Sequence, residues 1–278
     1  MPSPAKPTSM ARACPPASPE GSGHVTRVGR PSIEAIERAG LASWPALEEE
    51  RLDGWLLRAS QGYTRRTNSA NAAGASAGHL DADLPLIERF FAQRGLPTTF
   101  RLLSTAGDEA IDRALDQRGY RRCEDPCSVM VRPLPGDIHP PSPPSFALLP
   151  DAKAWLPEFV RLKNDQGPHQ RTHLAILDAI ASPTAFAVVK PPGALQPQGC
   201  GLGVVAEGHL GLFDIATHPA HRRQGLGKAV CEGLLNWGRD QGAHTAYLQV
   251  VADNRSAVEL YRRLGFEELY RYWYRIRG

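Results

Sequence analysis

The sequence has no long hydrophobic segment and few cysteines, and these absences exclude several classes of protein. No stretch approaches the roughly 18 consecutive apolar residues that predict a membrane-spanning helix, so we expect no membrane partner. Five cysteines in 278 residues are an odd number for a disulfide framework. They also lack the second Cys or His pair that a structural zinc site requires. These features predict reduced thiols in a cytoplasmic protein that binds no metal.

The chain carries little net charge, and most of it comes from the N-terminal residues. There are 32 basic and 29 acidic residues, for a net charge of +3. Four basic residues and one acidic residue precede Pro31, which leaves 28 of each sign in the rest of the chain. A neutral body lacks the basic face that nucleic-acid affinity requires, so we expect no nucleic-acid partner. A nucleic-acid-binding module ranks third among the functional hypotheses developed below, and its only support is the basic stretch that contains Arg271, Arg275 and Arg277.

Proline-rich segments divide the chain into four parts. Residues 1–30 are rich in Pro, Ser, Ala and Gly and lack the apolar core of a signal peptide, so they predict a disordered leader. Residues 133–145 contain six prolines in thirteen positions, which predicts an extended linker. We therefore expect a first domain over residues 31–132 and a second over residues 146–278.

The second domain alternates between helical and strand patterns, which predicts an α/β or α+β fold around a mixed sheet. We expect helices over residues 151–163 and 173–181 and strands over residues 185–190, 201–207 and 210–216. The remaining elements are an amphipathic helix from Gly225, a strand over residues 245–252, a helix that Asp253 or Asn254 caps and Gly265 ends, and an aromatic strand over residues 269–277.

The first domain follows a similar order. We expect strands over residues 52–60, 64–71, 98–104 and 120–131 and helices over residues 83–94 and 108–119. Placing Gly119-Tyr120 on Gly265-Phe266 aligns Asp108 with Asn254 and Leu115 with Tyr261. This match predicts that the two domains are copies of one fold, although a single Gly-aromatic pair could also match by chance.

The most informative stretch is residues 215–228, IATHPAHRRQGLGK. A strand ends there, a proline follows, and a basic, glycine-rich turn leads into a helix. A helix N-terminus offers unpaired N–H groups and partial positive charge to phosphate oxygens. Gly225 and Gly227 permit close approach of the backbone, and Arg222, Arg223 and Lys228 add positive charge. The stretch predicts a phosphate site but is neither the dinucleotide fingerprint nor the P-loop.

Residues 222–227, RRQGLG, resemble the acyl-CoA-binding motif of the GNAT acetyltransferase superfamily, Arg/Gln-x-x-Gly-x-Gly/Ala after a strand. The following motif of the family, Asn-x-x-Ala-x-x-Leu-Tyr before a Gly-Phe, is matched from Asn254 to Phe266. Both motifs occur in the order and spacing of the family. The resemblance implies tandem GNAT-like folds, each a mixed, mostly antiparallel twisted sheet flanked by helices. The first copy is degenerate, since Leu115 stands in place of the tyrosine.

The resemblance further implies that acetyl-CoA is the co-substrate. Its pyrophosphate would lie on the backbone of the loop, and its pantetheine arm would pair with residues 215–217 and Asn254. The residues assigned to acetyl-CoA are Ile215, Ala216, Thr217, Arg222, Arg223, Gln224, Gly225, Leu226, Gly227, Lys228, Asn254, Ala257, Tyr261 and Arg263. A solvated surface cation is an equal alternative for Arg263, and Asn254 can also act as a helix cap.

The same resemblance makes Tyr261 the general acid that protonates the departing CoA thiolate. The sequence offers several candidates for the base. In ribosomal-protein N-terminal acetyltransferases a glutamate stands twelve residues before the tyrosine, whereas Gln249 stands here and cannot accept a proton. Asp214, Glu207 and His218 are the nearby candidates. We expect Asp214 to be catalytic, with water-mediated deprotonation as the alternative.

The leading hypothesis is therefore an acetyl-CoA-dependent N-acetyltransferase that acts by direct attack in a ternary complex, as a monomer or homodimer. The alternative is a non-catalytic acyl-CoA-binding regulator, which Gln249 makes plausible. The sequence does not identify the amine acceptor. Five residues of the first domain could reach the acceptor, although a buried tryptophan and solvated arginines are the simpler interpretation: Trp55, Tyr63, Arg65, Arg66 and Asn68.

Overall fold

The computed structural model describes residues 29–72, 80–136, 143, 145–164 and 167–278. Most of the predicted leader and residues 137–142 and 144 of the predicted linker lie outside this set. The helices are α1 (Ile33–Ser43), α2 (Leu80–Ala92), α3 (Ala106–Gln117), α4 (Ala152–Lys163), α5 (Gln170–Asp178), α6 (Leu226–Asp240) and α7 (Arg255–Arg263). None of the helices in the described ranges has the length and apolar character needed to cross a bilayer.

The strands are β1 (Glu48–Leu52), β2 (Trp55–Ala59), β3 (Ser69–Ala72), β4 (Thr98–Leu103), β5 (Arg121–Arg122), β6 (Cys127–Pro133), β7 (Phe146–Leu149), β8 (Thr184–Val189), β9 (Gly199–Ala206), β10 (His209–Thr217), β11 (Thr245–Val251) and β12 (Glu267–Arg277). They form one sheet in the order β1-β2-β3-β4-β12-β6-β11-β10-β9-β8-β7, with β5 beside β12. Among the strands of the described ranges, only β3–β4 and β10–β11 pair in parallel. The expected mixed, mostly antiparallel sheet flanked by helices is confirmed.

The two halves of the chain exchange their last strands within this sheet. The first half has the order β1-β2-β3-α2-β4-α3-β6, and the second has β8-β9-β10-α6-β11-α7-β12. β6 leaves its own half and pairs with β11, while β12 pairs with β4. β6 and β12 also pair with each other at the centre. Each half therefore supplies a strand that the sheet of the other half requires.

The ends of α3 and α7 have the same backbone hydrogen bonds. Tyr120 N donates to Leu115 O at 3.0 Å, and Phe266 N donates to Tyr261 O at 3.0 Å. The intervening Gly119 and Gly265 have φ of +79° and +82°, left-handed values that favour glycine. Leu115 and Tyr261, which the sequence alignment matches, therefore also occupy equivalent backbone positions at the ends of their helices. The starts of the helices differ, because Asn254 caps α7 whereas Asp108 lies inside α3.

The helices cover both faces of the sheet. α1, α4 and α5 cover one face, where an aromatic core includes Trp44, Trp155 and Tyr247. α6 and α7 cover the other face around Val230 and Leu234. α2 and α3 form a third core, which includes Trp273. Since Tyr272 and Tyr274 belong to the first core, strand alternation places Trp273, α2 and α3 on the face of α6 and α7.

Several elements differ from the expectation. α1 and β1 are additional, and Asp53-Gly54 forms the turn between β1 and β2 inside the strand expected over residues 52–60. A 3-10 turn at Arg65–Thr67 interrupts the strand expected over residues 64–71, because Asn68 ties the loop to itself. The strand expected over residues 120–131 is divided into β5 and β6, with Pro126 in the bend between them.

Candidate functional site

The loop before α6 leaves its backbone open on one side. After β10, Pro219–His221 forms a 3-10 turn, and Arg223 and Gly225 then have φ of +64° and +78°. A Cβ on Gly225 would meet no atom within 4 Å, so the loop faces open space there. A Cβ on Gly227 would lie 3.2 Å from Leu260 Cδ2 of α7. The loop thus lies directly beside α7.

The backbone N–H groups of residues 223–228 have no hydrogen-bond partner within the described part of the chain. The first N–H of this helix to find a partner is that of Ala229, which donates to Gly225 O at 2.9 Å. Arg222 and Arg223 are exposed and have no acidic partner among the described residues, whereas Lys228 Nζ lies 3.4 Å from Glu232. Six free donors and two free guanidinium groups form a cradle that fits phosphate groups.

β10 and β11 separate next to this loop. Their parallel pairing ends at Leu212 and Leu248, although β10 continues to Thr217 and β11 to Val251. A bulge between Phe213 and Ala216 accompanies the separation. The facing edges of residues 213–217 and 249–251 therefore keep backbone groups that can pair with an extended ligand between them.

Tyr261 projects from α7 into the core on this side of the sheet. It is 8% exposed, packs edge-on against Phe266, and its hydroxyl forms no hydrogen bond within the described residues. Burial raises the pKa of Tyr261, with the neighbouring Cys231 adding to the effect, so the phenol stays protonated at neutral pH. Burial also raises the pKa of Cys231 to about 12, which makes this residue a neutral part of the core.

Two further residues assigned to acetyl-CoA lie on α7. Asn254 Oδ1 caps the helix by accepting from Ala257 N at 3.3 Å and from Ser256 Oγ at 3.1 Å. The cap leaves the exposed amide nitrogen of Asn254 free to donate to a ligand. Arg263 forms an ion pair with Glu259, and its side chain is 72% exposed. Its surroundings are those of a solvated surface cation.

Asp214 lies at the bulge, next to a histidine from α5. Its φ is +49°, and its Oδ2 lies 3.0 Å from His173 Nε2. The two atoms lie within ion-pair distance but are not aligned for a hydrogen bond. The ring of His173 lies 5.0 Å from the ring of Tyr63 and 5.7 Å from that of Trp44. Aromatic rings therefore hold the histidine against the carboxylate.

The comparison with protein families assigns the chain to a family. Residues 31–275 match the family model described as "Probable histone acetyltransferase Rv0428c C-terminal". The chain belongs to this family. It is a GNAT N-acetyltransferase.

Some relatives of this GNAT protein match most of its length, and others match only a segment. YobR of Bacillus subtilis (strain 168), an uncharacterized N-acetyltransferase, is 29% identical over 249 residues, which cover 88% of this chain and 98% of YobR. The [Ribosomal protein bS18]-alanine N-acetyltransferase of Escherichia coli (strain K12) is 46% identical over 57 residues, 20% of this chain and 38% of that enzyme. A GCN5-related N-acetyltransferase from Kribbella flavida has the same fold, with a TM-score of 0.66, 18% identity, and coverage of 88% of this chain and 95% of that chain.

The other residues considered as bases are placed differently in this GNAT protein. Gln249 Oε1 accepts a hydrogen bond from the Tyr272 hydroxyl at 2.9 Å, so the amide is fixed but cannot take a proton. Glu207 lies in the turn before β10, at the opposite end of that strand from the loop, and pairs with Arg38 at 3.1 Å. His218 Nδ1 accepts from Ala220 N at 3.3 Å and serves the turn. Asp214 is the carboxylate at the bulge.

The first half contributes a loop to this region. Tyr63 stacks on His173, and the guanidinium carbon of Arg66 lies 5.4 Å from the centre of the Trp44 ring and 5.5 Å from that of Phe213. Trp55 is buried and donates to Asp83, so it stays in the core of its own half. Arg65 pairs with Asp125 at 3.0 Å.

Sequence reasoning missed His173 and Trp44. The sequence gives no local signal for either residue, because each acquires its role only through contact with distant segments.

Proposed function

We propose that this GNAT protein transfers the acetyl group of acetyl-CoA to a primary amine by direct attack within a ternary complex. The observation that carries the proposal is the row of six free backbone N–H groups at residues 223–228, which leads to the gap between β10 and β11. A phosphate-binding cradle next to two unpaired strand edges suits a long ligand with a pyrophosphate and an extended arm.

Different groups of the chain would bind different parts of acetyl-CoA. The N–H groups of residues 223–228 would hold the pyrophosphate, helped by Arg222 and Arg223. Ile215, Ala216 and Thr217 would pair with the pantetheine arm as a neighbouring strand does, and the free amide nitrogen of Asn254 would donate to the same arm. Gly227 and Ala257 would keep the approach between α6 and α7 narrow and apolar. Lys228 and Arg263, each already paired with a glutamate, would add long-range attraction only.

The chemistry requires a base for the amine and an acid for the leaving group. Bound acetyl-CoA would supply a thioester carbonyl carbon, to which the amine nitrogen bonds as the C–S bond breaks. Asp214 would take the proton that the amine loses, with His173 beside the carboxylate. Tyr261 would give its proton to the departing thiolate, and its raised pKa keeps that proton available. The regulator alternative depends on the lack of a base at Gln249, and Asp214 offers one elsewhere.

We also propose that residues 31–132 and 146–278 are two copies of one fold joined by residues 133–145. The shared element order and the matching ends of α3 and α7 support this division. In the first copy Leu115 stands where the second has Tyr261, so the first copy would have no acid of its own. It would instead complete the acceptor side of the second copy.

Calorimetric titration of acetyl-CoA tests the proposal, with Gly225→Arg as the variant. The arginine would project into the open side of the cradle, and we expect binding to be lost. Gly242→Arg is the matched control, because Gly242 follows the other end of α6 with φ of +80° and equally open surroundings. It imposes the same backbone strain without touching the cradle. Equal affinity in Gly225→Arg and wild type, or no binding to folded wild type, would contradict the proposal.

A further inference from the structure

The acceptor side of the site contains an arginine without a counter-ion. Four arginines of the first half lie close to one another, and three have acidic partners among the described residues. Arg58 pairs with Glu49 at 2.9 Å, Arg65 with Asp125, and Arg101 donates to Glu37 Oε1 at 2.9 Å. Arg66 forms no ion pair and no side-chain hydrogen bond within the described residues. Among these four arginines, Arg66 is therefore the one without a salt bridge to a described residue.

The position of Arg66 connects it to the proposed base. Its guanidinium group lies against the rings of Trp44 and Phe213, both within the range of cation–π attraction. Phe213 directly precedes Asp214, and the Trp44 ring also contacts His173, which lies 3.0 Å from Asp214. The unpaired cation and the proposed base therefore border the same small region.

Unsatisfied polar atoms are concentrated in this region. Ten buried side-chain atoms among the described residues lack a hydrogen-bond partner: Trp44 Nε1 and Arg66 Nε are two of them, while His173 Nε2 and Asp214 Oδ2, also among the ten, lie 3.0 Å from each other. Arg66 contacts Trp44, Trp44 contacts His173, and His173 contacts Asp214. Only Nε of Arg66 is sealed from solvent, so its two terminal nitrogens can still reach a ligand. The two terminal nitrogens of Arg66 are therefore the donors of this residue that remain available to a ligand.

The loop that carries Arg66 is held in a fixed shape. Asn68 Oδ1 accepts from Ser60 N at 2.8 Å and Gly62 N at 3.0 Å, and its amide nitrogen donates to Tyr63 O and Thr64 O. Thr172 Oγ1 of α5 donates to Gln61 Oε1 at 2.8 Å, which attaches the loop to the second half. Gln61 and Thr64 have positive φ of +50° and +57°, values that cost free energy and recur at binding sites. The loop is built to present its side chains at a set position.

We propose that Arg66 binds a carboxylate of the acceptor, so that the substrates are amino carboxylic acids whose amine lies a few bonds from the carboxylate. This assignment rests on the proposed function. A guanidinium group without a salt bridge can bind an anion, and its planar shape can hold a carboxylate through two parallel hydrogen bonds. The amine of such an acceptor would lie toward Asp214 while its carboxylate meets Arg66.

Steady-state acetylation of matched acceptor pairs tests the assignment. Each pair is an amino acid and its primary amide, such as alanine with alaninamide and β-alanine with β-alaninamide, and kcat/KM is measured from CoA release. The amide also changes the basicity of the amine, so the acid-to-amide ratio is compared between proteins. We expect Arg66→Gln to lower this ratio by roughly ten- to a hundredfold relative to wild type, the effect of losing a charge-assisted hydrogen bond.

Two controls separate recognition from folding. Arg65→Gln removes the neighbouring, already paired guanidinium and should leave the ratio as in wild type. Arg66→Lys keeps the charge and should retain part of the ratio. A ratio that survives Arg66→Gln, or falls equally in Arg65→Gln, overturns the assignment. If no pair is acetylated while acetyl-CoA still binds at the Gly225 loop, the acceptor class is overturned, whereas a failure of wild type to bind acetyl-CoA would overturn the proposed function itself.

Discussion

Asp214 shows how one backbone conformation can place a functional side chain. Its φ of +49° lies in the left-handed region, where aspartate and asparagine are tolerated better than most other residues. The bulge turns residue 214 out of the regular alternation of β10, and the carboxylate meets His173 on the face of α1 and α5. Alternation alone therefore could not predict which way this side chain would point.

Asp214→Asn tests the role of the carboxylate without disturbing the backbone, because asparagine accepts the same φ. We expect kcat to fall by roughly 10²- to 10⁴-fold with little change in acetyl-CoA affinity, as for loss of a positioned base. Steady-state kinetics and calorimetry measure the two effects. Glu207→Gln is the matched control, a positive-φ carboxylate at the other end of β10. Wild-type turnover in Asp214→Asn would show that water or another group takes the proton.

Tyr261→Phe separates proton donation from packing. The hydroxyl of Tyr261 has no hydrogen-bond partner within the described residues, so its removal should leave the melting temperature nearly unchanged. We expect kcat to fall by roughly 10²-fold or more, since the thiolate then leaves without a proton donor. Tyr272→Phe is the control, because it also removes a buried tyrosine hydroxyl, the one that donates to Gln249, but leaves the proposed acid in place. A normal kcat in Tyr261→Phe would assign this residue to the core alone.

At the scale of elements, the sequence predicts structure best where short-range chemistry decides it. Asp and Asn caps give local hydrogen bonds, so α4 and α7 begin and end within a residue or two of expectation, and α6 begins next to Gly225 as expected. The Asp53-Gly54 dipeptide could have revealed the β1–β2 hairpin, but three consecutive glutamates obscured β1. The exchange of β6 and β12 could not be predicted, because a strand pattern does not name its partner.

The same limit applies to the candidate site. Gly225, Gly227 and Asn254 are predictable because each works through its own backbone or a local cap. His173 is 41 positions before Asp214, and Arg66 lies against Trp44 and Phe213, which come from two different segments. Contacts of this kind depend on how β10, α1 and α5 pack, which no local pattern encodes.

α1 is attached to the sheet by a buried charge cluster. Glu37 of α1 accepts two hydrogen bonds from Arg101 of β4 and one from the Tyr270 hydroxyl of β12. Burial by itself would raise the pKa of Glu37, but the charge and hydrogen bonds of Arg101 outweigh it and hold the pKa below the ordinary value near 4.5. The pair therefore stabilises the fold above about pH 4.5, and its contribution is lost as pH falls through the lowered pKa.

Glu37→Gln should lower the free energy of unfolding at pH 7 by about 3–5 kcal/mol, because Arg101 is left buried without its partner. The difference from wild type should shrink as the pH falls below about 4.5, where wild type also loses the charge. Denaturant titrations at several pH values measure this. Glu207→Gln, which breaks an exposed pair with Arg38, should cost at most about 1 kcal/mol. A pH-independent loss in Glu37→Gln would point to packing instead of charge.

At the scale of the whole molecule, the exchanged strands make the two halves depend on each other. β11 pairs with β6 over residues 245–251, and β12 pairs with β4 over residues 272–277. Separating the halves removes both ladders and exposes aromatic residues such as Tyr270 and Trp273. The second half carries the proposed acetyl-CoA site but not a complete sheet.

Expressed alone, residues 146–278 should therefore lack a cooperative unfolding transition and should not bind acetyl-CoA. Thermal denaturation followed by circular dichroism and calorimetric titration measure these properties. The control is the full chain with an engineered protease site within residues 137–142, cut after folding, in which every strand remains present. Cooperative unfolding of the isolated half together with wild-type affinity would show that strand exchange adds little to its stability.

The central position of β12 also bears on biosynthesis. This strand lies between β4 and β6, yet the ribosome makes it after all the other strands. Until residues 267–277 have emerged, β4 and β6 both present open edges in the middle of the future sheet. Open edges are sites of aggregation, so a nascent chain of this design is exposed during most of its translation. A ribosome that stops early would release a product with two unpaired edges, which chaperones and proteases can distinguish from the finished protein.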